Sequence, residues 1–352
     1  MTTDIKKPER PGRLRAMLQA LARTKPKVGV TPSAVVHREG RWSLLRYQRE
    51  DGSHAVFKTP VLLIPSLINR HYVLDLTHEH SMVETLLALG HDVFVIDWGS
   101  PGSEDRFVTF DDICDQAIAR ALRVTCKITD QSQAHVLGYC LGGTLAIIHC
   151  AARPERIATL TALAAPVTFS DEGLLSKWVR SETFSVDALV EAFGLVPWQL
   201  MQPAFQLMRP TLPLLKAVSL ADRAWDNEFV DSFKAVETWG NDNVSLPGEF
   251  YRTYIHTLYR QDALVAGRFE LSGVPATLES ITCPVMAITF EHDNIVPWRS
   301  AATLIDRCAS EIKEHVHQPG GHVGAVVSKK ASKKLWPKLS AFWAAHEANT
   351  SR

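Results

Sequence analysis

The stretch Gly138-Tyr139-Cys140-Leu141-Gly142-Gly143 sets a thiol among glycines. Apolar Ala134-His135-Val136-Leu137 precedes it, and Thr144-Leu145-Ala146-Ile147-Ile148-His149-Cys150 follows it. That order predicts a buried strand, a tight turn and a helix packed on a sheet, with Cys140 presented at the apex as a nucleophile. Side chains at Gly138 and Gly142 would collide with the helix or the neighbouring strand, which is why such a turn needs glycine. The plainer alternative is a buried structural cysteine in a Gly-rich turn.

A nucleophilic thiol needs a base, a group that orients the base, and donors for the oxyanion. In parallel sheets, reactive side chains gather in loops at the carboxyl ends of strands. After the apolar run 283–289 comes Phe290-Glu291-His292-Asp293-Asn294-Ile295-Val296-Pro297. Asp293 is the favoured acid there and Glu291 its competitor. After 312–317 comes Gln318-Pro319-Gly320-Gly321-His322-Val323-Gly324, and the paired glycines let the loop bend the His322 imidazole back towards the thiol. The chain has 14 histidines, so position after the final strand is what selects His322 as base. His292 adjoins Asp293, but neighbours along a chain usually point apart. His322 would take the Cys140 proton while Asp293 fixes its tautomer. The expected oxyanion donors are the backbone N–H of Leu141 and one from Ser66 or Leu67, in the loop after the strand 61–65. The Ser66 hydroxyl is a lesser candidate than its backbone.

These residues need elements to hold them. Segments 34–38 and 42–47 flank Glu39-Gly40 and predict a hairpin. Strands are expected at 61–65, 92–97, 134–137, 157–163, 283–289 and 312–317. Helices are expected at 82–89, 110–129 with Thr109 as N-cap, 298–308 and 329–345. Strands alternating with helices specify a parallel sheet covered on both faces. From 166 to 280 the alternation stops. Phe193-Gly194-Leu195-Val196-Pro197-Trp198, Met201, Phe205, Leu207 and Met208 suggest a mostly helical cap. Its Met-rich and aromatic residues form either ordinary cap core or a flexible apolar lid or dimer surface. Prolines at 197, 203, 210 and 213 are expected to forbid long helices. The order nucleophile, acid, base on such a sheet is that of the α/β-hydrolase fold. The expected architecture is therefore α/β, with a mostly parallel central sheet, helices on both faces and a helical cap or lid insertion. Residues 1–30 would be a basic arm, 31–165 and 281–352 the two parts of the core, and 166–280 the cap.

Composition narrows the function. With 46% hydrophobic residues in 352, the chain can bury a large core. Its 38 basic and 38 acidic residues cancel, so no global field for nucleic acid or a membrane surface arises. Cysteines 114, 126, 140, 150, 283 and 308 lack metal or disulfide-framework spacing and point to a reducing cytoplasm. Lys6, Lys7, Arg10, Arg13, Arg15, Arg23, Lys25 and Lys27 make the arm basic. Its apolar run 16–22 is too short for a secretory segment, and nothing approaches the roughly 18 apolar residues of a spanning helix. The arm reads as a frayed end with one short surface helix, or as a basic amphipathic element that touches a partner or an amphiphilic surface. His78-Glu79-His80 departs from H-E-x-x-H because residue 82 is Met. His315 and His317 share a strand face without a third ligand. Residues 138–143 lack the second half of a dinucleotide fingerprint. No metal and no cofactor are expected.

The choice of thiol is informative. Attack on a thioester exchanges one thioester for another at small free-energy cost, so the acyl group stays activated. That suggests acyl transfer from a carrier thioester to an alcohol, with hydrolysis as the side reaction.

Several motifs then carry a resemblance. They are Val28-Gly29-Val30-Thr31-Pro32, Val36-His37-Arg38-Glu39, Leu44-Leu45-Arg46-Tyr47, Leu67-Ile68-Asn69-Arg70 with Asp75-Leu76, Asp97-Trp98-Gly99, the elbow itself, Pro247-Gly248-Glu249-Phe250, and Pro319 to Gly324. Together they resemble the polyhydroxyalkanoate synthases, and in length the short catalytic subunit of the two-component, class III type. Residues 64–69, 138–144 and 293–298 lean towards the long single-component enzymes. The resemblance implies that Cys140, Asp293 and His322 form the triad and that Cys140 carries the growing acyl chain. It implies (R)-3-hydroxyacyl-CoA as substrate, with short-chain 3-hydroxybutyryl-CoA expected, polyester as product, and coenzyme A released at each addition. It also implies an accessory PhaE-like synthase subunit, a homo-oligomer, and a cytoplasmic place at the polyester granule surface. A cysteine-dependent hydrolase or thioesterase on the same scaffold is the alternative. A non-catalytic binding relative is disfavoured by the complete residue set.

Overall fold

Apolar residues fill both faces of the central strands, and the computed structural model, which describes residues 12–49, 51–207 and 212–347, buries both sets. One eight-stranded sheet is built from β1 (Ser33–Glu39), β2 (Trp42–Tyr47), β3 (Val61–Ile64), β4 (Val93–Asp97), β5 (Ala134–Tyr139), β6 (Ile157–Leu163), β7 (Val285–Phe290) and β8 (Lys313–Gln318). Its spatial order is β1-β2-β4-β3-β5-β6-β7-β8. The β1–β2 and β2–β4 pairs are antiparallel, and every pair from β4 onwards is parallel. The α/β-hydrolase expectation is thus met, with each predicted strand within about two residues of its place.

The helices are α1 (Arg13–Ala22), α2 (Met82–Ala88), α3 (Ile118–Thr129), α4 (Leu141–Ala152), α5 (Leu174–Val179), α6 (Val186–Phe193), α7 (Trp198–Leu207), α8 (Leu212–Arg223), α9 (Asn227–Gly240), α10 (Gly248–Thr253), α11 (Trp298–Arg307), α12 (Gly324–Val327) and α13 (Trp336–Ala345). Leu62, Ile64, Phe94, Ile96 and Val136 meet α3 and α4 on one face. Val61, Leu63, Val93, Val95 and Leu137 meet α2 and α13 on the other. This is the two-residue alternation of a pleated strand. Every residue of α4 is buried, as its all-round apolar sequence demands. Thr109 caps its helix as expected: its hydroxyl accepts the Asp112 N–H at 3.2 Å, and the Asp112 carboxylate accepts the Thr109 N–H at 2.8 Å. The following segment, Asp112–Ala117, is π-helical before α3 begins.

Between β6 and β7 lie α5 to α10 and a π-helical turn, Tyr254–Arg260. Two sequence expectations change here. Pro203 sits inside the ten-residue α7, so proline does not end this helix. Its ring deprives the Gln199 carbonyl of a partner, but Gln199 is exposed and water can serve it. The N-terminal helix α1 is not frayed: Ala16 and Ala20 pack on Ala224 and Val230 of the cap, and Arg23 pairs with Asp231 at 2.6 Å. Lys6, Lys7, Arg10, Met208 and Pro210 lie outside the described residues.

The turn between β5 and α4 leaves no room for side chains at its glycines. A β-carbon on Gly142 would lie 2.2 Å from the Ile64 carbonyl oxygen and 2.4 Å from that of Pro65. One on Gly138 would lie 2.4 Å from Gly143 Cα. Alanine normally gains about 1 kcal/mol over glycine within a helix. Here the neighbour is backbone and cannot step aside, so overpacking of about 3 kcal/mol or more dominates. Gly142→Ala is expected to lower unfolding stability by about 2 kcal/mol net or more in urea denaturation; an unchanged midpoint would contradict this packing.

Candidate active site

Cys140 bridges β5 and α4 with φ +55° and ψ −128°, a conformation that non-glycine residues rarely hold. Its neighbours fix it there. The Cys140 N–H donates to the Leu163 carbonyl at 3.0 Å, and its own carbonyl accepts from Gly143 at 2.8 Å and Thr144 at 3.2 Å. The cost of the strained residue, about 1–3 kcal/mol, is offset by these bonds and by the buried helix behind it.

Asp293 follows β7. One carboxylate oxygen accepts the N–H groups of Ile295 and Val296, each at 2.9 Å. The other meets His322 Nδ1 at 2.7 Å. Asp293 is 9% exposed and His322 8%, whereas Glu291 and His292 point to solvent. The structure therefore separates Asp293 from both competitors. The acid and base loops are tied together by backbone bonds of 2.9 Å from Glu291 to Gln318 and from His292 to Gly320. Gly320 adopts φ +127°, the bend that returns His322 towards the elbow.

With Nδ1 held by Asp293, the remaining ring nitrogen of His322 is the one that can serve Cys140. Burial alone would lower the His322 pKa. The negative charges of Cys140 and Asp293, and the hydrogen bonds to them, outweigh burial and raise it to about 10. Near neutral pH this arrangement favours the proton on the imidazole. Tyr139, which the sequence reading gave no role within the turn 138–143, stacks on the imidazole at 5.2 Å and donates its hydroxyl to the His322 carbonyl at 3.3 Å.

The expected oxyanion donors lie at the junction of β3 and α4. The approach of Gly142 to the Ile64 and Pro65 carbonyls brings the start of α4 against the loop carrying Ser66 and Leu67. The Leu141 N–H opens α4 and has no intrahelical acceptor. Neither it nor the Leu67 N–H donates to another acceptor among the described residues. The Ser66 hydroxyl is already engaged, accepting the Ile68 N–H at 3.3 Å.

The cap brings groups that the sequence alone did not single out. Tyr254 and Tyr259, both buried in the π-helical turn, pack edge to face at 5.3 Å. Burial raises both phenols, and the charge at Cys140 raises them further. The aromatic run Tyr251, Tyr254, Tyr259 was the available signal, but nothing in it says which face meets the core. A cleft of about 560 Å³ between Asp293, Asn294, Pro297 and the cap residues Gly173 and Leu174 opens onto the acid loop. His315 and His317 instead share the Thr289 hydroxyl at 2.8 and 2.9 Å, a structural role. Among the described residues no group of three or more His, Cys, Asp or Glu side chains is placed to hold a metal.

The His322 value gives a signed expectation. Folding raises this pKa from 6.5 to about 10, so its contribution to stability is complete below about 6.5 and is lost as pH rises through about 10. Asp293→Asn removes one of the raising charges. An NMR titration should therefore show His322 releasing its proton at distinctly lower pH in the variant, and an unchanged titration would contradict the coupling.

Comparison with known proteins bears on the fold and the family. A family model described as alpha/beta hydrolase fold matches residues 59–328. One described as the N-terminus of poly-beta-hydroxybutyrate polymerase (PhaC) matches residues 6–86. The poly(3-hydroxyalkanoate) polymerase subunit PhaC of Allochromatium vinosum is 32% identical over 88% of this chain and 88% of its own length. The protein of the same name from Haloferax mediterranei is 34% identical over 90% of this chain, which spans only 64% of that relative. Among solved structures, a soluble variant of the Saccharomyces cerevisiae monoglyceride lipase superposes with TM-score 0.56 at 14% identity, covering 93% of this chain and 98% of its own. The Mycobacterium tuberculosis protein described as non-heme bromoperoxidase BpoC gives 0.54 at 17% identity over 89% of this chain and 98% of its own, and both likenesses concern the fold alone. The chain belongs to the poly(3-hydroxyalkanoate) polymerase PhaC family, on the α/β-hydrolase fold.

Proposed function

We propose that the protein is the catalytic subunit of a polyhydroxyalkanoate synthase, with Cys140, Asp293 and His322 as its triad. The observation that carries this reading is a thiol at the elbow beside a buried His322–Asp293 pair joined at 2.7 Å, in a chain of the PhaC family. The Cys140 thiolate attacks the thioester carbonyl of an (R)-3-hydroxyacyl-CoA. The oxyanion faces the N–H groups of Leu141 and of Leu67 or Ser66. The intermediate collapses, the carbon–sulfur bond to coenzyme A breaks, and His322 protonates the departing thiolate. His322, now neutral, takes the proton of an incoming 3-hydroxyl, which attacks the Cys140 thioester and forms the ester bond. The Cys140 thiolate is regenerated beside the imidazolium. The lengthened acyl-CoA is then loaded again onto a thiol of this kind, and another coenzyme A leaves. No cofactor enters these steps, since acyl-CoA is the substrate.

A short-chain monomer such as 3-hydroxybutyryl-CoA is favoured, in keeping with the polymer named by the matching N-terminal family model. An accessory subunit is part of the proposal, because the matching relatives are themselves named as subunits. Leu214, Leu215 and Val218 on α8 are exposed apolar residues that a second copy, an accessory subunit or a granule surface could cover. No helix among the described residues is long and apolar enough to cross a membrane. Placement in the cytoplasm at a granule surface is part of the same reading.

The test supplies purified protein with 3-hydroxybutyryl-CoA, with and without a candidate accessory subunit, and follows both free thiol and polymer. Thiol release with polymer is the expected outcome. Free 3-hydroxybutyrate without polymer under every condition would replace the synthase by a thioesterase. Cys140→Ala should abolish thiol release, and Cys140→Ser should retain less than about 1% of it, because the base then faces a far less acidic hydroxyl.

A further inference from the structure

The loop after β3 is held from three sides. The first turn of α4 lies on the Ile64 and Pro65 carbonyls. The Trp98 indole donates to the Pro65 carbonyl at 2.9 Å. The third hold comes from the cap, at the end of α9. Asn69 forms a backbone bridge with Asn243, and the Val244 N–H donates to the Ile68 carbonyl at 3.0 Å. The Asn69 side-chain amide donates to the Asn243 side chain. Arg70 Nε donates to Asp242 at 3.1 Å, and the Tyr72 hydroxyl donates to the other carboxylate oxygen at 2.8 Å. The Trp239 indole donates to the Arg70 carbonyl at 3.0 Å. Four cap positions between 239 and 244 thus grip residues 68–72.

Packing beside this contact is incomplete. A cavity of about 250 Å³ lies between Leu67 and Trp98 on the core and Val244, Leu246 and Pro247 on the cap. Leu67 is buried, with this cavity on its outer side. From the cap side, the polar contacts at 242–244 are what hold the loop in place.

We infer that Asp242 and Asn243 are positioning residues: they latch the cap to the loop 66–70 and so set the second oxyanion donor. This rests on the proposed role of Leu67 or Ser66. It makes the cap part of the catalytic geometry rather than a cover over it. A donor displaced by about 1 Å weakens stabilisation of the transition state far more than binding of the substrate. The latch should therefore act on kcat.

The experiment compares Asp242→Ala, Asp242→Glu and Asn243→Ala with the unaltered full chain. Coenzyme A release from 3-hydroxybutyryl-CoA gives kcat and KM, and iodoacetamide alkylation of Cys140 reports the nucleophile. Asp242 is half-exposed, so its truncation should leave the fold standing, and Asn243→Ala provides an independent variant should it not. The expected result is a kcat loss of about tenfold or more in both alanine variants, KM within about threefold, and unaltered alkylation. Asp242→Glu, which keeps the charge opposite Arg70, should recover much of the rate. A kcat within about twofold of the unaltered chain in a folded alanine variant would overturn the latch. So would a parallel fall in alkylation, which would place the damage at the elbow. Because coenzyme A release is counted whether the acceptor is a hydroxyl or water, failure to make polymer would sink the synthase reading and leave this test intact.

Discussion

At the first turn of α4, the backbone of Gly142 lies directly on the carbonyls of Ile64 and Pro65, with no room for a β-carbon. This contact joins the nucleophile's helix to the strand whose loop faces the nucleophile. It can form only if β5 turns sharply at Cys140, which explains the positive φ there. It can persist only if the helix is held down, which the wholly buried α4 achieves. The sheet order follows from the same need: β5 must lie beside β3 on one side and β6 on the other, and the register places Gly138 opposite Ile64 and Ala162. The elbow is thus a packing solution first and a chemical device second.

Electrostatics completes it. Burying an imidazole disfavours its charge, and burying a carboxylate disfavours that charge as well. The structure offsets both by pairing them at 2.7 Å and by giving Asp293 two backbone donors from the turn that follows it. His322 is left cationic beside Cys140 well above its ordinary range. Acyl transfer through a thiol would profit from this, because an imidazole beside the thiol can take a proton from it and later one from an alcohol.

The core was readable because its signals are local. Glycines with a thiol between apolar runs, Asp293 before Val296-Pro297, and the paired glycines before His322 each carry their geometry within a few residues. The apolar runs of β3, β4 and β5, alternating with helices, set the sheet. The cap was less readable, because its meaning lies in contacts distant along the chain. Asn69 meets Asn243 across 174 residues, and no spacing announces that pair. Pro203 breaks no helix because the carbonyl it strands faces water, a fact of exposure rather than of sequence. The tyrosines at 254 and 259 lie in a π-helical turn, which shifts the faces of a helix by a residue, and no spacing in the sequence announces it.

The central claim is that Cys140 bears the acyl group during turnover. The most direct measurement mixes the protein briefly with 3-hydroxybutyryl-CoA, quenches in acid and maps the modified peptides by mass spectrometry. The account predicts one or more 3-hydroxybutyryl units in thioester linkage on Cys140, removable by hydroxylamine and undetectable in Cys140→Ala. Turnover with no acyl group on Cys140 at any quench time, or with the group on another cysteine, would contradict it.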